Sequence, residues 1–149
     1  MPYKGVIQLV HGMSEHKERY EPFMEYMASL GYVAVIHDHR GHGQSVRSGD
    51  DLGYMYGGGA DAMLADIASV NRQIREKFPD LPLILMGHSM GSLAVRAFAA
   101  EHDDCMDMLI VCGSPSNRRA RIAGSVIAKL EGKLFGMRHR SRLLEILSF

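Results

Sequence analysis

Residues 83–92 read LILMGHSMGS, and this stretch decides the fold. Residues 83–86 form a short, wholly apolar run, the signature of a strand buried on both faces. Gly87, Ser89 and Gly91 follow at once, and a helical pattern then runs to about Ala100. A serine between two glycines at a strand-to-helix junction sits on a sharp turn that projects its hydroxyl. The turn brings helix and strand so close that a side chain at 87 or 91 would collide, which explains the glycines. A helix beginning near Met90 aims its free N-terminal amides at the same point, where they favour developing negative charge. Ser89 is the candidate nucleophile and the Met90 N–H a candidate oxyanion donor. The competing reading is a glycine-rich turn without chemistry.

The same grammar repeats on either side. Residues 5–10 (GVIQLV) read as a strand that ends in His11 and Gly12. The loop there supplies the second oxyanion candidate, the N–H of Met13. Tyr20, Phe23, Met24, Met27 and Leu30 recur at spacings of three and four, which predicts an amphipathic helix closed by Gly31. Residues 33–36 (VAVI) predict a second strand, running into the loop HDHRGHGQS. Five glycines between 46 and 59 mark a further loop. Asp61 is placed to cap the next helix, whose stripe is Met63, Ile67, Val70, Ile74 and Phe78. The prolines at 79 and 82 stop it. Residues 108–112 (MLIVC) predict a fourth strand, and the remaining tail reads as helical and basic. Apolar strands alternating with amphipathic helices predict an α/β fold: a parallel sheet with helices on both faces. Ligands in such sheets bind at the carboxyl ends of the strands, where every motif lies.

Composition agrees with a folded domain. Of 149 residues, 46% are apolar and 23% charged, too apolar for a disordered chain. No apolar run approaches the roughly 18–20 residues needed to span a bilayer. Two cysteines, Cys105 and Cys112, make no disulfide framework, and the first residues carry no secretory signal pattern. The expected compartment is the cytoplasm. Net charge is zero but divided: residues 1–116 hold 9 Lys+Arg against 15 Asp+Glu, and residues 117–149 hold 8 against 2. The acidic body and the lack of a recognised module exclude nucleic acid as the expected partner.

HGMSEHKERY, DHRGHGQS and GHSMGS, in that order, resemble the α/β-hydrolase family, in particular its monoacylglycerol lipase and lysophospholipase branch, the serine aminopeptidase-like group. The resemblance runs from Gly5 to about Pro115 and implies a serine esterase acting on a small acyl ester or lysolipid without a cofactor. Ser89 matches the nucleophile, and Met13 and Met90 match the oxyanion-hole residues. Glu15 and Arg19 match polar residues on the leaving-alcohol side of the pocket. Asp38 and Arg40 match residues that brace the site. Residues 1–116 would be a partial hydrolase core, and 117–149 the start of its helical lid.

The sequence also departs from that pattern. The family's acid and base follow two later strands, beyond the lid. After Ser89 the only histidines here are His102 and His139, and the only aspartates Asp103, Asp104 and Asp107. None stands at a family position, and the family has two strands before the first one here. The expectation is an N-terminal-half fragment with weak or no activity alone, since an unassisted serine hydroxyl is a poor nucleophile. The alternative is a non-catalytic module that binds an acyl ligand.

Three further readings belong beside this one. The loop from His37 to His42 approaches a binuclear metal pattern, but Gly41 stands where such a site uses Asp, and no metal is expected. In the tail, Val126, Ile127, Leu130, Leu134 and Met137 share a helical face, with Lys129, Lys133, Arg138, Arg140 and Arg142 around them. That pattern suits either an anionic membrane surface or a lid packed on its own core. The glycines at 124, 132 and 136 argue against one long helix. Uncovered sheet edges on a partial domain would favour self-association.

Overall fold

The computed structural model describes residues 2–114, 118–136 and 141. The chain divides into two units, Met1–Pro115 and Ser116–Phe149.

The first unit is built on four parallel strands: β1 (Gly5–Val10), β2 (Tyr32–Ile36), β3 (Leu83–His88) and β4 (Met108–Cys112). Their spatial order is β2-β1-β3-β4. Three helices connect them: α1 (Glu21–Ser29), α2 (Gly59–Lys77) and α3 (Met90–Ala99). The chain moves one way from β1 to β2 and the other way from β2 to β3. Right-handed crossovers then put α1 on one face and α2 with α3 on the other. In agreement, Ile67 of α2 packs with Val95 and Phe98 of α3 in one core cluster with Val10 and Leu85. The strand order reverses between β1 and β3, so a crevice opens at their carboxyl ends. Val10 of β1 lies beside Gly87 of β3 there.

β1 is the centre of the core, with all six residues buried. Its Val6 packs with Ile74 and Leu83. Gln8 is also buried, and its amide is satisfied: it donates to the Ile67 carbonyl at 3.0 Å and accepts from Asn71 at 2.9 Å. A buried amide left unpaired would be destabilising, so this pair fixes the register of α2 over β1.

Several local expectations are corrected. The first helix is shorter than its periodicity suggested: Lys17–Tyr20 forms a 3-10 turn, and α1 begins only at Glu21, with Pro22 in its first turn. No residue of α1 is fully buried, and Leu30 is exposed. Asp61 does not cap α2; Gly58 holds the cap position and Asp61 lies within the first turn, where its charge still suits the helix dipole. The fourth strand forms as expected, but its five apolar residues are all exposed. Apolar composition signals strand formation, while burial depends on what lies alongside.

In the second unit, α4 (Arg118–Phe135) runs unbroken through Gly124 and Gly132. It ends at Gly136, whose φ of +91° is the left-handed conformation glycine adopts freely. Two internal glycines weaken a helix by roughly 1 kcal/mol each, which eighteen residues absorb here. Ile122, Val126, Leu130 and Leu134 are exposed at four-residue spacing. Met137, Arg138, His139, Arg140 and Arg142 lie outside the described residues. Among the described residues, no helix is long and apolar enough to cross a membrane.

Candidate active site

Ser89 occupies the turn between β3 and α3 with φ +53° and ψ −117°. A non-glycine residue at positive φ is strained by about 1–3 kcal/mol and persists only where its surroundings enforce it. The enforcement is visible. A Cβ at Gly91 would overlap the Val10 and His11 carbonyl oxygens, and one at Gly87 would overlap the backbone of Gly91. The Ser89 N–H is held by the Cys112 carbonyl at 3.0 Å, and the Ser89 carbonyl accepts from the Ser92 N–H at 3.0 Å.

The loop after β1 meets this turn directly. A Cβ built at Gly12 would lie 3.1 Å from the Ser89 Cβ and 2.9 Å from Glu15 Oε2. Met13 therefore sits one residue beyond the closest approach of this loop to Ser89, with half its surface exposed. Met90 opens α3, so its N–H has no intrahelical acceptor. The Met90 N–H belongs to the peptide that follows Ser89 directly.

Glu15 anchors the loop. Its Oε2 accepts from the Gly12 N–H at 2.8 Å and from the Tyr20 hydroxyl at 2.8 Å, and His88 Nδ1 stands 3.4 Å away. Burial would raise the Glu15 carboxyl, but these hydrogen bonds outweigh it and hold the group below the ordinary range. Burial, and then the Glu15 carboxylate, pushes the Tyr20 phenol upward, so it remains a donor. Arg19 is mostly exposed and pairs with Glu15 Oε1 at 3.6 Å. Glu15 and Arg19 thus stand together, with Glu15 also shaping the loop that carries Met13.

The DHRGHG segment braces from behind. Asp38 accepts from the Lys17 N–H at 2.7 Å, Lys17 Nζ at 2.7 Å and the Gln44 N–H at 2.9 Å. Burial opposes its ionisation, but the Lys17 ammonium leads the contacts that hold its carboxyl low. Gly43 is required here, since a Cβ would overlap the Asp38 carboxylate. Arg40 forks onto Asp66 of α2 with bonds of 2.8 and 2.7 Å. His11 and His39 interlock: the His39 N–H donates to His11 Nε2 at 3.0 Å, and His39 Nε2 donates to the His11 carbonyl at 3.0 Å. His11 Nδ1 then faces its neighbour's carbonyl on Gly12 at 2.7 Å. Burial first, and then the His11 ring, lowers the His39 imidazole to about 3. Both nitrogens of His11 and the Nε2 of His39 are committed to backbone groups, so this cluster acts as a neutral strut.

The other polar candidates lie elsewhere. Asp107 accepts from the Leu83 N–H at 2.7 Å and from Arg75 at 3.0 Å. Leu83 begins β3, so Asp107 lies at the amino ends of the strands, roughly 20 Å along the chain direction of β3 from Ser89. His102 stacks on Phe98 at 4.8 Å between ring centroids. Among the described residues, the Ser89 hydroxyl makes no hydrogen bond.

Sequence reasoning missed Tyr20, assigned to an apolar helix face, and the contact of His88 with Tyr20 at 3.2 Å. A phenol five residues beyond a carboxylate could signal a polar role, because a tyrosine buries its ring while its hydroxyl seeks a partner.

A family model described as Serine aminopeptidase, S33, matches residues 1–146. The chain belongs to this family of hydrolases. A monoacylglycerol lipase of Mycolicibacterium smegmatis is 29% identical over 140 residues, which is 88% of this chain and 46% of that protein. The monoglyceride lipase of Homo sapiens is 34% identical over 98 residues, 66% of this chain and 31% of that protein. Among solved structures, a thermostable carboxyl esterase from Bacillus coagulans, in complex with glycerol, superposes with a TM-score of 0.83 at 31% identity. That match covers 99% of this chain and 48% of the esterase. The chain thus spans less than half the length of these relatives, and its four-stranded parallel sheet is α/β-hydrolase architecture.

Proposed function

We propose that this chain carries the nucleophile half of a serine esterase site acting on acyl glycerols or lysophospholipids. The observation that carries the reading is Ser89, held at φ +53° on the turn between β3 and α3 at the sheet's switch point. In the proposed chemistry Ser89 Oγ forms a bond to the ester carbonyl carbon and gives up its proton to a base. The Met13 and Met90 N–H groups stabilise the oxyanion, and the alcohol leaves with a proton. Water then releases the acyl group from Ser89. Glu15 and Arg19 line the side from which the alcohol departs. Relatives named for monoacylglycerol and carboxyl ester cleavage support the ester class. With no hydrogen bond to its hydroxyl among the described residues, Ser89 alone should react slowly, because activation by a base is what makes serine nucleophilic.

The second reading is a module that binds an acyl ligand without cleaving it. Intact mass after exposure to a fluorophosphonate separates the two. A single adduct lost in Ser89→Ala supports the esterase; no adduct, with retained acyl-ligand binding, supports the module.

Two partner proposals rest on exposed surfaces. Ile122, Val126, Leu130 and Leu134 form an apolar stripe on α4, with Lys129 and Lys133 on the same helix, which suits an anionic lipid surface. Co-sedimentation with anionic vesicles and not with neutral ones is expected; equal behaviour with both would remove the charge-based part of this reading. The exposed β4 edge suits self-association, and a monodisperse monomer in light scattering would count against it.

A further inference from the structure

Ser92 is fully buried one turn into α3, three residues beyond the nucleophile. Its hydroxyl donates to the Ser89 carbonyl at 2.5 Å, the same oxygen that accepts the Ser92 N–H at 3.0 Å. The Ser92 Oγ also lies 2.9 Å from the Oγ of Ser114, in the loop after β4. A hydroxyl has one hydrogen, and a carbonyl can only accept. Ser92 therefore gives its hydrogen to the carbonyl, and the contact with Ser114 uses the Ser114 hydrogen. A directed chain results, from Ser114 to Ser92 to the Ser89 carbonyl.

That carbonyl belongs to the peptide whose other end is the Met90 N–H. The peptide is planar and trans, so fixing the direction of the carbonyl fixes the direction of the N–H. Hydrogen bonds in series polarise one another, so two donors on the carbonyl make the N–H at the far end a stronger donor. We propose that Ser92, backed by Ser114, is a positioning residue that aims and strengthens the Met90 N–H as an oxyanion donor. The inference rests on the esterase reading only for what that N–H is used for; the polarised peptide is a property of the folded chain.

The amide resonance of Met90, assigned in the 15N-labelled protein, reads the effect without requiring turnover. In Ser92→Ala it is expected to move upfield, and in Ser114→Ala to move the same way by less. Phosphonylation of Ser89 should slow in the same order. Loss of a whole oxyanion donor costs about a hundredfold or more in rate, so a residue acting through one should cost about tenfold. A Met90 resonance that stays in place in a folded Ser92→Ala protein, or an unchanged phosphonylation rate, overturns the proposal. If Ser92→Ala does not fold, Ser114→Ala decides by the same two readouts, since Ser114 is only half-buried. Should the unsubstituted chain take no adduct, that result bears on the esterase reading of this chain alone, and the Met90 resonance still decides this proposal.

Discussion

β1 and β4 are written in nearly the same alphabet, GVIQLV and MLIVC, yet one is wholly buried and the other wholly exposed. The difference is position. β1 has strands on both sides, β2 and β3, while among the described residues β4 pairs only with β3. α2 and α3 cover the face of β1 that carries Val10, and Ile7 and Leu9 on the other face are buried too. Met108, Leu109, Ile110 and Val111 each keep at least 37% of their surface exposed. The end of β1 and the end of β4 nevertheless serve the same turn. The β1 end packs against Gly91, and Cys112 at the β4 end holds the Ser89 N–H. The turn therefore joins the most buried strand of the sheet to its least covered one.

The sharpest test of that contrast is truncation in β1. Leu9→Ala should lower unfolding free energy by about 2–5 kcal/mol in denaturant titration, because a fully buried leucine leaves a cavity. A loss below that range would mean β1 is not the centre of the core. Next in size is Gly91→Ala, whose methyl would overlap the β1 carbonyls. Forced crowding of this kind costs about 1–3 kcal/mol, and Ser89 should lose its reactivity toward phosphonate even where the protein still folds. Unchanged labelling would show that the close approach of helix and strand does not shape the turn.

The histidine strut beside the β1 end gives a pH signature. Burial lowers the folded pKa of His39 from 6.5 to about 3. Between those values the unfolded chain binds a proton that the folded chain refuses. The stabilisation is thus complete above about pH 6.5 and is lost as pH falls toward 3. Thermal unfolding followed across this window should show a shallower decline in His39→Gln than in the parent. Equal slopes would remove His39 from the account. The smallest stability effect is expected at β4: Ile110→Lys should change unfolding free energy by less than about 1 kcal/mol, since exposed sites tolerate substitution. Its effect should appear instead in sedimentation velocity, as reduced association, because a lysine on an edge discourages strand addition. A destabilisation as large as that of Leu9→Ala would erase the contrast between the two strands.

Much of this was legible in the chain. The apolar runs at 5–10, 33–36, 83–86 and 108–112 all form strands, and the glycines at 87 and 91 are required by the contacts their positions implied. Local periodicity and backbone sterics carry that information without reference to distant residues. Tyr20 carries the three-and-four spacing of a helix face, but the helix has not begun there, so the spacing hides its polar role. A serine in a first helical turn such as Ser92 is ordinary in sequence; only its pairing with Ser114, twenty-two residues on, gives it direction.

By itself the sequence determined the strands, the reversal-prone order of α/β units, the strained turn at Ser89 and the family to which the motifs point. These follow from forces acting within a few residues: backbone sterics, side-chain alternation and the need for glycine at a tight turn. Only the tertiary structure decided which apolar strand is buried, that Glu15 and Tyr20 shape the loop before the nucleophile, and that the Ser89 carbonyl carries a second donor. Those outcomes depend on which segments become neighbours once the sheet is assembled, and burial and hydrogen-bond partnership are properties of neighbours rather than of residues.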